Sequence, residues 1–458
     1  MIHYRTVVLE TDREPLDIAV ALAGSGLFGT YVVYEDPRGW CVAGGTAAEV
    51  VVTADSVRCT WQGSTTEEPW YGDPIAPVRR FLAGLPLADW AAYGWTAFEL
   101  AHAVAAMPLD GGVLLHLVVP ETEVVLDGER AVVRSTHDGT LSAVESVVTR
   151  TDAPAGPVAR AVPVDLDASA DAYRDAVASV VADIRGGALQ KAVVSRIVPV
   201  EGELDFPATY AAGRRANTPA RSFLLRMGGL QCLGFSPETV VEVDATGRVA
   251  SQPLAGTRAL TGDADTDRRL REDLLTDPKE LHEHAISVKV AVDELTGPCK
   301  PDTVVVEEYM TVKERGSVQH LGSRVVGRMH EGADPWDAFA AVFPAVTASG
   351  VPKRPAYEVI RRCETEPRGP YAGTVMRVTR DGGMDAALVL RSVYERDGRT
   401  WLRAGAGIVE QSSPERELEE TREKLRCVAR TLVARGEEPA RQAWSARPAG
   451  AADARTHR

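Results

Sequence analysis

Four glutamates fall into two pairs of equal spacing. Glu280 and Glu283 stand three residues apart in KELHEHAISV, and Glu417 and Glu420 repeat that step in ERELEETREKL. On a helix, residues three apart project from one face. On a solvated helix such a pair is ordinary; facing a divalent cation it is half a binding site. Carboxylates without cysteine or paired histidine ligands suit a hard ion, Mg²⁺ rather than zinc. Lys191 sits in the apolar, β-branched run GALQKAVVSR, on the same face as Val193, Ser195 and Ile197. An amine there is costly without a partner or a task, the alternative being an edge-strand lysine that discourages aggregation. Glu238 closes an apolar strand in GFSPE. It is either a first-turn helix carboxylate favoured by the dipole or a proton donor at a strand end. Arg391 and Arg403 lie in apolar strands near the end of the chain. A buried guanidinium needs an anion, and its fork suits a carboxylate. Together these groups suit a substrate with more than one carboxylate, with a lysine and a glutamic acid as base and acid.

These side chains need elements to hold them. Asp277, Pro278 and Glu280 read as N-cap, N1 and N3 of a helix with a capping box. Leu281, Ala285, Val288, Val292 and Leu295 form its apolar stripe. The last helix starts near Ser413-Pro414. A third, capped by Ser169, carries Tyr173, Val177, Val180, Val181 and Ile184 and ends at Gly186-Gly187 before the Leu189–Val200 strand. Gly228-Gly229 marks a hairpin, Thr246-Gly247 a turn, and Met310–Val325 a strand–turn–strand unit. The run Met384–Glu395 reads as one strand that turns at Asp397-Gly398 and returns over Thr400–Glu410. Gly256, Gly405 and Gly407 leave room for backbone to approach a ligand. A lone histidine, His320, is more often structural than a base.

The chain has 458 residues, 45% hydrophobic and 25% charged, with a formal net charge of −14. That balance argues against nucleic acid and anionic membranes as partners. The N-terminus carries charge too early for a signal peptide, and no apolar run reaches the roughly 20 residues of a membrane helix. Six scattered cysteines form no C-x-x-C pair, so reduced thiols in a cytoplasmic protein are expected. The first 150 residues alternate strand-like runs with turns, and their Trp90, Tyr93, Trp95 and Phe98 read as core aromatics. Asp152–Pro163 is a Pro/Ala connection. The expected organisation is one domain over 1–435, with a strand-rich part (1–160), a catalytic core (163–435) and a disordered tail (436–458).

From Gly187 to Arg435 the chain resembles the chorismate-utilising enzymes, the family of anthranilate, aminodeoxychorismate, isochorismate and salicylate synthases. GALQKAVVSR, GFSPE, PLAGTRA, KELHEHAISV, EYMTVKERGSVQHLGS, FPAVTASGVPK, LRAGAGIVE and ERELEETREKL carry the resemblance. Lys191 stands where the water-using members carry lysine and anthranilate synthase carries glutamine. Within the family, PLAGTRAL, MTVKERGSVQHLGS and PAVTASGVPK are similar to the salicylate synthases. Departures are Ala345, where serine is expected, and Val351, where isoleucine is expected.

The resemblance implies a mixed α/β (α+β) fold, two sub-domains packing large antiparallel sheets with helices outside. It implies Mg²⁺ on Glu283 and Glu420, with Glu280 and Glu417 assisting directly or through water. Lys191 would activate water for attack at C2 of chorismate, and Glu238 would protonate the departing C4 hydroxyl. Isochorismate would then lose pyruvate to leave salicylate, for an aryl-capped siderophore or related product. Tyr371 and Arg391 match positions that hold the enolpyruvyl carboxylate. Gly256, Gly405, Gly407 and Lys424 match the ring-carboxylate end, and Thr257, His320, Thr347 and Arg403 match other pocket positions. A monomer or weak dimer is expected, without a glutaminase subunit. The alternatives are an isochorismate synthase that stops at the first product and a non-catalytic chorismate-binding protein.

Overall fold

The computed structural model describes residues 2–150 and 160–436. Most of the expected connection at Asp152–Pro163, and the tail beyond residue 436, lie outside the described residues.

Among the described residues, valine-rich alternating runs build two antiparallel sheets, one of 11 strands and one of 12. Each sheet is part N-terminal and part C-terminal. In the first, Tyr31–Asp36 pairs directly with Arg221–Met227, placing Val33 opposite Leu224. In the second, Ala91–Thr96 pairs with Thr374–Thr379, placing Trp95 opposite Val375. The strand-rich first third is therefore woven into both sheets. Tyr93, Trp95 and Phe98 are almost fully buried and Trp90 nearly so, core residues as expected. Tyr34 of one sheet and Trp95 of the other share a single apolar core.

Lys191–Val200 runs near one end of the first sheet. It pairs with Arg399–Ile408 on one side, Ser195 opposite Gly405 and Val193 opposite Gly407. On the other side it meets only the short strand Gly350–Val351, with Lys191 opposite Val351. The expected hairpins at Gly228-Gly229, Thr246-Gly247 and within Met310–Val325 all form.

The helix Pro278–Thr296 is capped by Asp277, whose side chain accepts from the N–H groups of Lys279 and Glu280. The reciprocal half of the expected capping box is not made. Glu280 instead turns to Thr257 and Arg258 of the neighbouring strand. The helix Pro414–Ala429 starts where its sequence predicts, and the Ser413 side chain caps it by accepting from the Arg416 N–H. Ser169 does precede the helix Ala170–Arg185, but its side chain makes no cap; its backbone is left-handed, with φ 63°.

Two further expectations are corrected. Pro237-Glu238 starts no helix; it links the strands Leu230–Ser236 and Thr239–Val243, which belong to different sheets. The run Met384–Glu395 is two strands, Met384–Leu388 in the second sheet and Ser392–Arg396 in the first. The break falls at Arg391, whose φ of 52° is sterically unfavourable for a non-glycine residue. Both Glu238 and Arg391 thus stand where the chain passes between sheets.

Candidate active site

One cavity opens at these crossings. Glu238 and Arg391 line it, as do Gly256, Thr257, Glu283 and His320. Thr347, Tyr371, Arg403, Gly405 and Gly407 complete the wall with Glu420 and Lys424. Lys191, Glu280 and Glu417 stand behind that lining.

Lys191 is fully buried, which rules out a solvated edge lysine. Its Nζ lies 3.0 Å from Glu283 Oε1 and donates to Ser287 Oγ at 3.1 Å. The glycine at 407 makes this contact possible. A Cβ there would run into the Glu283 carboxylate and press on Lys191 Cε. The amine is thus held against one of the four predicted carboxylates, two strands and a helix having converged to place it.

Glu238 is 2% exposed. Its Oε2 accepts from the Leu254 N–H at 2.5 Å and its Oε1 from the Thr347 hydroxyl at 2.5 Å. Burial pushes the carboxyl up to about 7, against those hydrogen bonds and the charges of Lys191 and Arg391. A carboxylic acid that keeps its proton near neutrality can donate it.

Arg391 is buried with no carboxylate beside it among the described residues. Its Nη1 donates to the Arg315 carbonyl at 2.9 Å, and its Nη2 meets His320 Nε2. Burial and the Arg391 charge push the His320 imidazolium far below its ordinary range. The ring is therefore neutral; Nε2 accepts from Arg391 and Nδ1 donates to the Gly256 carbonyl, 3.2 Å away. An unpaired buried guanidinium at a cavity wall is a site for an anion. Lys424 supplies a second cation, 2.8 Å from Glu420 Oε1 and 2.9 Å from the Gly405 carbonyl. Arg403 also faces the cavity, but its donors are taken by Ser195, Pro367 and Glu364. Tyr371 lies under the guanidinium groups of Arg368 and Arg403.

The two glutamate pairs come together from helices far apart in sequence. Glu420 and Glu283 both act electrostatically on Glu280 and on Glu417. Burial lifts Glu280 and Glu417 above the ordinary carboxyl range, Glu417 to about 7, with Glu420 pushing both further up. Burial acts most strongly on Glu420 as well, yet Lys424 and Lys279 outweigh it and hold that carboxyl down. A β-bulge at Gly256, φ 81°, turns the Thr257 N–H onto Glu280 Oε2 at 3.0 Å.

Three residues here escaped the sequence reading. Lys279 Nζ bridges Glu417 Oε1 at 3.1 Å and Glu280 Oε1 at 3.4 Å. Arg258 Nη1 reaches Glu280 at 2.9 Å, and Ser287 orients Lys191. Lys279 did carry a signal: a lysine in a helix's first turn opposes the dipole and needs another reason to be there.

Among the described residues no three His, Cys, Asp or Glu side chains are arranged, as they stand, to hold a metal ion. The donor set nevertheless fits a hard cation. It is all carboxylate, its members repel one another, and Glu417 Oε2 is buried with no hydrogen-bond partner. Lys279 supplies part of the positive charge that such a cluster requires.

Over residues 30–430 the chain matches the chorismate binding enzyme family. It is 43% identical to the salicylate synthase of Mycolicibacterium paratuberculosis over 94% of this chain and 96% of that protein. Anthranilate synthase component I of Streptococcus pneumoniae superposes with a TM-score of 0.72 at 26% identity, covering 85% of this chain and 92% of that one. The menaquinone-specific isochorismate synthase of Escherichia coli shares the fold, with a TM-score of 0.69 at 21% identity over 93% and 94% of the two chains. With a family match across most of its length, and two crossing points that converge on one charged cavity, the chain belongs to the chorismate binding enzyme family.

Proposed function

We propose that the protein is a Mg²⁺-dependent salicylate synthase, converting chorismate through isochorismate to salicylate and pyruvate in one site. The observation that carries this reading is a buried lysine held against Glu283, which lines the same cavity as Glu238 with its raised carboxyl, with Arg391 and Lys424 also in that wall. The long, even similarity to a salicylate synthase supports it.

In this reading Arg391 and Tyr371 take the enolpyruvyl carboxylate. Lys424, with the backbone at Gly256, Gly405 and Gly407, orients the ring-carboxylate end. Lys191 Nζ takes a proton from the water that attacks C2. Glu238 gives a proton to the C4 hydroxyl as its C–O bond breaks, and water departs. Glu283 and Glu420, assisted by Glu280 and Glu417, would hold Mg²⁺, which neutralises the ring carboxylate when bound. The second step then transfers hydrogen within the bound isochorismate as pyruvate leaves. Thr347 keeps Glu238 in place, and His320 keeps Arg391 in place. No ammonia is consumed, so no glutaminase subunit is required, and a monomer suffices. Salicylate made this way would supply an aryl-capped siderophore or a related product. No helix among the described residues is long and apolar enough to cross a membrane.

Purified protein incubated with chorismate and Mg²⁺ tests the proposal. Salicylate and pyruvate in equal amounts are expected. Isochorismate accumulating without either would make it an isochorismate synthase, and chorismate binding without turnover would make it a binding protein.

A further inference from the structure

A second, smaller cavity shares Glu238 and Thr347 with the main one. Ser251, Gln252 and Glu294 also line it, and it has room for about one water among those polar groups. Glu294 is on the same helix as Glu283, eleven residues or about three turns further on, and therefore on the same face. Its Oε1 meets Lys353 Nζ at 2.6 Å, and Lys353 also donates to the Val342 carbonyl at 2.9 Å. Each of these two side chains keeps 18% of its surface exposed, so the pair touches both solvent and the small cavity. The reaction described above makes no use of it.

That reaction leaves a proton to be replaced. Each conversion of chorismate to isochorismate ends with an extra proton on Lys191 and one missing from Glu238. The hydrogen bonds around Glu238 limit how it can be refilled. Its Oε2 accepts from a backbone N–H, which can only donate. The acid proton therefore belongs on Oε1, beside the Thr347 hydroxyl. A hydroxyl both accepts and donates, so Thr347 can pass a proton along.

We propose that Glu294, paired with Lys353, returns a proton to Glu238 through one water and the Thr347 hydroxyl. The proposal rests on Glu238 being the general acid. In each reset Glu294 gives its proton to the water, the water gives one to Thr347 Oγ, and Thr347 gives its own to Glu238 Oε1. Glu294 is refilled from the Lys353 ammonium or bulk water, and Lys191 returns its extra proton to the water that refills the main cavity once product has left. Burial lifts Glu294 to about 7 against the Lys353 charge, with Asp293 adding to the rise, and burial lowers Lys353. Tyr357, which also faces Glu294, stays protonated. The pair can thus hold and release a proton near neutrality. Glu294 is a positioning residue for the proton, since it touches no substrate atom.

The test is Glu294→Gln in the full chain, which keeps an oxygen for Lys353 to bond. With Mg²⁺ and chorismate, the first turnover on rapid mixing is expected within about twofold of the parent, while steady-state turnover at pH 8 falls about tenfold, giving a burst. The deficit shrinks at pH 6, where bulk water supplies protons readily. First and later turnovers slowed alike, or neither slowed, would overturn the relay. Should the variant fail to fold, the parent decides: its solvent deuterium effect must be larger on steady-state turnover than on the first, and equal effects overturn the relay. Glu238→Gln separates the two levels. Full activity in that variant removes the general acid itself, whereas an inactive Glu238→Gln beside an unaltered Glu294→Gln removes only the relay.

Discussion

Two buried clusters of charge flank the cavity, and they are built in opposite ways. In one, Glu364 lies between Arg368 at 2.6 Å and Arg403 at 2.5 Å, each side chain 4% exposed or less. Glu364 also accepts from the Ser195 N–H, and Arg368 donates to the carbonyls of Ala348 and Val193. Burial alone would raise the Glu364 carboxyl, but the two guanidinium groups hold it below the ordinary range. In the other cluster, four glutamates crowd together, two of them pushed upward, and one oxygen of Glu417 has no partner. The first cluster has its polar groups satisfied within the protein and ties the Lys191 strand to the loop before Tyr371. The second keeps an unsatisfied acceptor. A cluster satisfied internally is framework; one whose carboxylates raise one another and leave a buried acceptor unpaired is built to bind something.

The sharpest way to break that distinction is to remove the proposed acid and base at the cavity and, separately, one cation of the framework cluster. Lys191→Gln and Glu238→Gln are expected to lose about 10²- to 10⁴-fold in salicylate formation while keeping a cooperative unfolding transition. Arg368→Met should do the reverse, costing about 3–5 kcal/mol in urea unfolding because Glu364 loses one of its two cations. Equal damage to stability from both kinds of substitution would erase the difference between the clusters.

Metal binding sharpens the comparison further. Mg²⁺ is expected to raise the Tm of the chorismate-free protein, by the equivalent of about 2.7 kcal/mol at 100 times its Kd. Glu417→Gln should remove that rise while leaving the metal-free protein at least as stable as the parent. A Mg²⁺-independent Tm in the parent would mean that Lys279 already satisfies the cluster.

Much of this arrangement was legible in the sequence, for identifiable reasons. The three-residue glutamate steps, the Asp277 cap, the helix start at Ser413-Pro414 and the lysine in an apolar strand are local patterns, and local patterns survive folding. Two kinds of feature were not legible. Arg391 looked like a mid-strand residue because nothing in an apolar run announces a change of sheet; only the pairing partners of Met384–Leu388 and Ser392–Arg396 reveal it. Arg403 lines the cavity as expected, but the partner that holds it, Glu364, lies 39 residues away and carries no motif. Lys279 lies beside Glu280 in the sequence, but its bridge to Glu417 spans 138 residues. Pairings between distant charges are set by packing, which spacing rules do not encode.

The smallest expected effect tests Glu238 without any turnover. Its carboxyl is raised from 4.5 to about 7 by burial. Between those values the folded protein holds a proton that the unfolded chain has lost. Stability from this group is therefore full below about pH 4.5, falls as pH rises, and levels off above about pH 7. Glu238→Gln has no proton to lose and keeps an oxygen for the Leu254 N–H. Its stability relative to the parent should then climb across that window, reaching a gain of about 1–3 kcal/mol at pH 8. Other titrating groups contribute equally to both proteins and cancel in the difference. Urea unfolding of the pair at pH 5 and pH 8 measures it. Parallel curves would mean that Glu238 ionises like a surface carboxylate, and a group that has already given up its proton cannot serve as the acid. A gain that appears only at the higher pH would place Glu238 apart from Glu364, the equally buried carboxylate whose two arginines keep it charged.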